Sequence, residues 1–160
     1  MAKLKEGSRA PNFELTACNG RMISLDYYLG ERNVILYFYP KDDTPGCTTE
    51  ALGFRTIREE LYNLETMILG ISPDSLGDHQ RFVAKYGLPF LLLSDENKKV
   101  CKKYGVWVEK TLYGKKYMGV VRTTFVINKQ GKIAKIYNRV KPQGHNEEVL
   151  NFIRVINKEG

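Results

Sequence analysis

The stretch NVILYFYPKDDTPGCTTEALGF, residues 33–54, decides how the chain is built. Its first part, Asn33 to Pro40, is a nearly unbroken apolar run rich in aromatic and β-branched residues, the pattern of a strand buried on both faces. Past Pro45 and Gly46 the period changes. Phe54, Ile57, Leu61 and Leu64 recur at steps of three and four, so a helix is expected to begin near Cys47 and bury one stripe. A lone cysteine therefore stands at a strand-to-helix junction.

Outward from this unit the same alternation continues. Upstream, FELTACNGRMISL places Asn19-Gly20 between two short alternating stretches, which predicts an N-terminal β-hairpin with a two-residue turn. Downstream, TMILGISPD reads as a second buried strand, and SLGDHQRFVAKYG as a helix from Ser75 ending at Gly87, a glycine suited to the left-handed residue after a helix. LPFLLLSD gives another strand, and DENKKVCKKYG a short helix closed by Gly105. From Tyr117 the pattern predicts a hairpin, MGVVRTTFVIN, then KQG, then KIAKIY. A final amphipathic helix carries Val149, Phe152, Ile153 and Ile156, with two acids in its first turn where the helix dipole favours them. This is an α/β layout around a central mixed sheet flanked by helices. In such sheets ligands bind beyond the carboxyl ends of strands, and Cys47 falls at such a place.

At 160 residues, with no repeat or linker, the chain is expected to form one domain over residues 1–160. A 42% hydrophobic and 27% charged composition is that of a globular protein, and no apolar run approaches the roughly 20 residues of a membrane span. The segment MAKLKEGSRAPNFEL lacks the pattern of a secretory signal, so the expected location is cytoplasmic and no membrane partner is expected. Three cysteines, Cys18, Cys47 and Cys101, at wide spacings suit neither a disulfide framework nor a metal site. The excess of 25 basic over 18 acidic residues, +7, is scattered in ones and twos, which argues against nucleic acid as a partner.

A thiol is a nucleophile only as its thiolate, and an ordinary cysteine, with a pKa of ~8.5, is mostly protonated at neutral pH. In a first helical turn Cys47 would face unpaired backbone N–H groups and the positive end of the helix dipole, both of which stabilise negative charge. Pro45 suits a helix start, Gly46 lets the backbone approach a ligand, and Thr44 adds a hydroxyl that can donate and accept. Such a pocket would hold a small oxygen-rich substrate. An isolated cysteine can also be a small buried apolar residue, but KDDTPG is too polar and turn-prone for a packed core.

YPKDDTPGCTTEALGF resembles the active-site segment of the peroxiredoxins, whose pattern of Pro, three residues, Thr, two residues, Cys is met by Pro40, Thr44 and Cys47. ILGISPDS, KYGLPF, YGVW and RTTFVI extend the resemblance, in order, to the bacterioferritin-comigratory or PrxQ branch. The resemblance implies a thioredoxin-like fold and reduction of hydrogen peroxide or organic hydroperoxides, with no cofactor. By it Cys47 is the peroxidatic cysteine, Thr44 hydrogen-bonds the peroxide with Gly46 beside it, Pro40 shields the thiolate, and Arg122 supplies a fixed positive charge. A guanidinium in that place can bind the charge developing on the leaving oxygen. Glu50, on the same helix face as Cys47, either orients Arg122 or is a favourable acid in a first turn. His79 and His145 are expected at the surface.

The chain departs from the branch at one step. Leu52 stands where many members carry a second, resolving cysteine, and the helix containing His79 has none. Cys101, between Val100 and Tyr104, reads as a half-buried structural thiol, and Cys18 as more exposed. The expectation is a one-cysteine cycle in which thioredoxin or another external thiol regenerates Cys47, in a monomer or homodimer. An intermolecular disulfide between subunits is the second possibility. The alternative function is a redox-sensing or thiol-disulfide exchange protein that relays oxidation to a partner.

Overall fold

In the computed structural model, which describes residues 3–159, strand β3 (Asn33–Phe38) is buried at every position. The reason is visible in its alternation. Val34, Leu36 and Phe38 enter one apolar cluster, while Ile35 and Tyr37, with Tyr39 beyond the strand, enter another on the opposite face. Both faces are covered, so an unbroken apolar run forms a strand rather than aggregating.

Around β3 the sheet has seven strands in the order β2-β1-β5-β4-β3-β8-β9. β4 (Thr66–Ser72) and β5 (Leu91–Ser94) run parallel to β3, while β8 (Thr123–Ile127) and β9 (Ile133–Tyr137) continue antiparallel on its other side. The N-terminal hairpin, β1 (Glu14–Ala17) and β2 (Met22–Ser24), joins at the far edge through β1 and β5. Helices α1 (Pro45–Asn63), α2 (Leu76–Tyr86) and α4 (His145–Glu159) pack on one face, and α3 (Lys99–Lys103) on the other. The expected mixed sheet flanked by helices is therefore the observed one. Among the described residues no helix is long and apolar enough to cross a membrane. Met1, Ala2 and Gly160, within the expected domain limits, lie outside the described residues.

Several local expectations are corrected. The N-terminal turn has three residues rather than two: Ala17 N–H donates to the Arg21 carbonyl, and Gly20, at φ +83°, donates to the Ala17 carbonyl. Asn19 keeps a negative φ, so Gly20 alone supplies the left-handed residue. MGVVRTTFVIN is not one strand. Its first residues close a separate hairpin, β6 (Trp107–Leu112) with β7 (Lys115–Val120), and the chain turns at Val121-Arg122 before entering β8. A 3-10 turn over Leu25–Tyr28 was not foreseen. His79 and His145 are buried rather than exposed, and Cys101 is fully rather than half buried.

Candidate active site

The site forms where β3 hands over to α1. Thr44 is the N-cap residue, with extended backbone, and Pro45 opens the helix with its φ pre-set and no N–H to leave unpaired. The first intrahelical bond is Thr48 N–H to the Thr44 carbonyl at 2.8 Å, so the N–H groups of Gly46 and Cys47 have no acceptor within the helix. Thr44 does not cap α1 with its side chain; its hydroxyl donates to the Lys41 carbonyl at 2.9 Å. Cys47 is 2% exposed. Pro40, just beyond β3, is half-buried.

Arg122 reaches this junction from the turn before β8. One guanidinium nitrogen, Nη1, donates to Glu50 Oε1 at 2.7 Å, and the other, Nη2, to Cys47 Sγ at 3.3 Å. A single fork therefore links a carboxylate to a sulfur one helical turn away, which the planar guanidinium can do and an ammonium cannot. Glu50 is thus the carboxylate partner of Arg122 in this structure. Gly46 makes room for the approach: a Cβ there would lie 3.1 Å from Arg122 Nη2, a tight contact, and 3.5 Å from Pro142 Cγ. An N–H of fixed charge aimed at sulfur stabilises negative charge on it.

Glu50 is 2% exposed, and its second oxygen, Oε2, has no partner among the described residues. Burial pushes its carboxyl up to about 7 from the ordinary 4.5, with Arg122 pulling the other way. Between those values the folded protein holds a proton that the unfolded chain has released. This contribution to stability is fully present below the unfolded value and is lost as pH rises through the folded one, in total about 3 kcal/mol. We expect Glu50→Gln to remove that slope. Between pH 5 and 8 the urea midpoint of the wild type should fall relative to that of the variant, and parallel curves would contradict the assignment.

Sequence reasoning missed Lys110 and Pro142. Lys110, on β6, has its ammonium held down by burial and by Arg122, with Cys47 opposing, which places it in the field of both. It arrives on a hairpin that the alternation did not separate from β8. The two buried histidines had a readable signal. His79 precedes Phe82, Val83 and Tyr86 at helical spacing and so occupies a place on an apolar stripe, and His145 stands four residues before Val149. His145 pairs with Thr124 at 2.8 Å and Glu148 at 2.6 Å, and burial lowers its basicity.

The other thiols lie elsewhere. Cys101 belongs to the cluster on the opposite face of the sheet from Cys47, and burial and the Asp95 carboxylate push its thiol well up. Cys18 shares the Cys47 face but follows β1, three strands from β3. It is half-buried and lines a cavity of about 410 Å³ with Arg58, Tyr62 and Val83, apart from the Arg122 fork.

The profile of the AhpC/TSA family matches residues 7–136. The chain is 44% identical to peroxiredoxin Bcp of Bacillus subtilis over 148 residues, 92% of this chain and 94% of that one. A cysteine-to-serine mutant of Xylella fastidiosa PrxQ superposes with a TM-score of 0.91 at 34% identity, covering 98% of this chain and 99% of the other. The bacterioferritin comigratory protein of Xanthomonas campestris, solved as a trapped intermediate/ligand complex in work on its alkyl peroxide reduction activity, aligns with a TM-score of 0.86 at 36% identity, covering 91% and 92%. A thioredoxin-like sheet, a cysteine opening α1 and relatives aligned along nearly the whole chain converge, and this chain belongs to the AhpC/TSA family as a peroxiredoxin of the Bcp/PrxQ branch.

Proposed function

We propose that the chain is a thiol-dependent peroxidase acting on hydrogen peroxide and organic hydroperoxides, with Cys47 as its nucleophile. The observation that carries this reading is the Arg122 fork, which reaches the Cys47 sulfur at the unpaired N-terminus of α1. The Cys47 thiolate attacks the near oxygen of the peroxide. The O–O bond breaks, the sulfur becomes a sulfenic acid, and the leaving alkoxide or hydroxide takes a proton to depart as alcohol or water. Arg122 and the free N–H groups of Gly46 and Cys47 stabilise the charge that moves onto the leaving oxygen. Thr44 orients the peroxide, and Pro40 limits water at the sulfur. The alkyl peroxide reduction activity described for the Xanthomonas campestris relative supports the organic substrate class.

Regeneration is assigned to an external thiol such as thioredoxin. One thiol displaces water from the sulfenic acid to form a mixed disulfide, and a second thiol releases Cys47 and leaves as the disulfide of the reductant. Two observations support this one-cysteine cycle: Cys101 lies across the sheet from Cys47, and Cys18, after β1 three strands from β3, lines a cavity that does not include Cys47. We assign this work to a single domain in the cytoplasm, as a monomer or homodimer. The test is intact mass after one equivalent of hydrogen peroxide. A gain of one oxygen, mapped to Cys47, is expected. Loss of two hydrogens within one chain would mean that Cys18 or Cys101 resolves Cys47 and would overturn the cycle; dimers linked through disulfides would do the same in favour of exchange between subunits.

A further inference from the structure

The segment that presents Thr44 and starts α1 is tied to α2 at adjacent residues. Asp42, 8% exposed, accepts from the Tyr39 hydroxyl through Oδ1 at 2.6 Å and faces His79 Nδ1 through Oδ2 at 2.6 Å. His79 is fully buried, and its Nε2 lies 3.0 Å from the Leu93 carbonyl of β5. A carbonyl has only lone pairs, so Nε2 carries a hydrogen and donates; one further proton lies between Nδ1 and Asp42. The Asp42 N–H donates to Asp74 Oδ2 at 2.9 Å, which also accepts from Ser72 at 2.5 Å. At the next residue, Asp43, in the left-handed region at φ +59°, takes Lys85 Nζ and Tyr86 Oη, each at 2.7 Å. The buried part of this network, Tyr39, Asp42 and His79, serves only if every member is satisfied, and it borders the loop that carries Thr44.

We infer that His79 is a positioning residue for the peroxide reaction, acting through Asp42 to fix the Lys41–Thr44 loop and so the place of the Thr44 hydroxyl and the first turn of α1. This rests on the proposed peroxidase reading. Lys41 is the link, because its carbonyl accepts the Thr44 hydroxyl and it precedes Asp42 in the chain. When His79 is lost, Asp42 keeps its bonds from Tyr39 and to Asp74, but its carboxylate loses the one buried link to α2 and β5, leaving the loop to the exposed contacts of Asp43. The Lys41 carbonyl then drifts, and Thr44 with it. A displacement of an ångström in a group that orients substrate is enough to cost one to two orders of magnitude in rate.

The test compares His79→Leu with Asp42→Asn. The asparagine amide can donate to Nδ1 and still accept from Tyr39, so it restores both bonds without the charge. We expect His79→Leu to lower the second-order rate with hydrogen peroxide by about tenfold or more, per folded molecule, and to speed exchange of the Asp42 amide hydrogen. Asp42→Asn should recover most of that rate and that protection. A pair serving stability alone would lower the unfolding temperature and leave the rate of the folded variant unchanged, which would overturn the inference. So would an Asp42→Asn variant as slow as His79→Leu. Amide exchange needs no peroxide: if His79→Leu leaves the Asp42 amide protected, the clamp is wrong whether or not the wild type consumes peroxide. A wild type inert to peroxide whose clamp behaves as described would instead contradict the peroxidase reading alone.

Discussion

Cys47→Ser is expected to abolish the reaction with peroxide, lowering its rate by at least about three orders of magnitude, while Cys18→Ser and Cys101→Ser leave it within about threefold. Serine preserves the volume and the helix start, so the fold should persist and the loss will report chemistry. A hydroxyl at that position stays protonated at neutral pH and has no low-lying route to an oxidised state, whereas a thiolate accepts oxygen directly. Cys101→Ser probes a different risk. Its side chain is fully buried, and a hydroxyl there must find a partner, so its effect should fall on stability rather than rate. Consumption of hydrogen peroxide with dithiothreitol in excess measures all three variants on one scale.

Arg122→Leu should be the next most damaging change, and it acts twice. On the reaction, it removes the cation that touches sulfur and would meet the leaving oxygen, a loss of about 10²–10³ in rate by analogy with other anion-stabilising donors. On the fold, it strips Glu50 of its partner while leaving the carboxyl buried. Breaking a buried pair from one side costs about 3–5 kcal/mol, reduced here because Glu50 is already pushed up to about 7 and can take a proton. The double variant Arg122→Leu, Glu50→Gln should regain stability but not rate. That split, read by urea unfolding and by stopped-flow oxidation, separates the structural share of the fork from the chemical one. Arg122→Lys should recover little, since one ammonium cannot span Oε1 and Sγ with two aligned N–H donors.

Much of this arrangement was legible in the chain because its causes are local. The run at β3 is apolar from Val34 onward because helices cover one face and α3 with the N-terminal segment covers the other. Pro45 and Gly46 announced the start of α1, and Gly46 has its reason in the approach of Arg122. What escaped were features set by contacts distant in sequence. The β6-β7 hairpin stands outside the main sheet and is mostly exposed toward its turn, with Trp107, Val108, Gly119 and Val120 partly or fully buried at its base, so its alternation is weak and β7 is not separated from β8 by pattern alone. His79 and His145 were assigned to the surface by residue type. Each instead occupies an apolar stripe and meets its polar needs through partners on other elements, Asp42 and Leu93 for the first and Thr124 for the second. The role of Arg122 came from resemblance; its geometry, with Glu50 behind it and Cys47 before it, came from the fold.

The central claim is that this junction makes one thiol reactive toward peroxide, and its most direct measurement is the stopped-flow reaction of the reduced wild type with one equivalent of hydrogen peroxide at neutral pH. The prediction is a single fast phase consuming one peroxide per chain, at least about 10³ times faster than free cysteine under the same conditions. A rate no greater than that of free cysteine would contradict it.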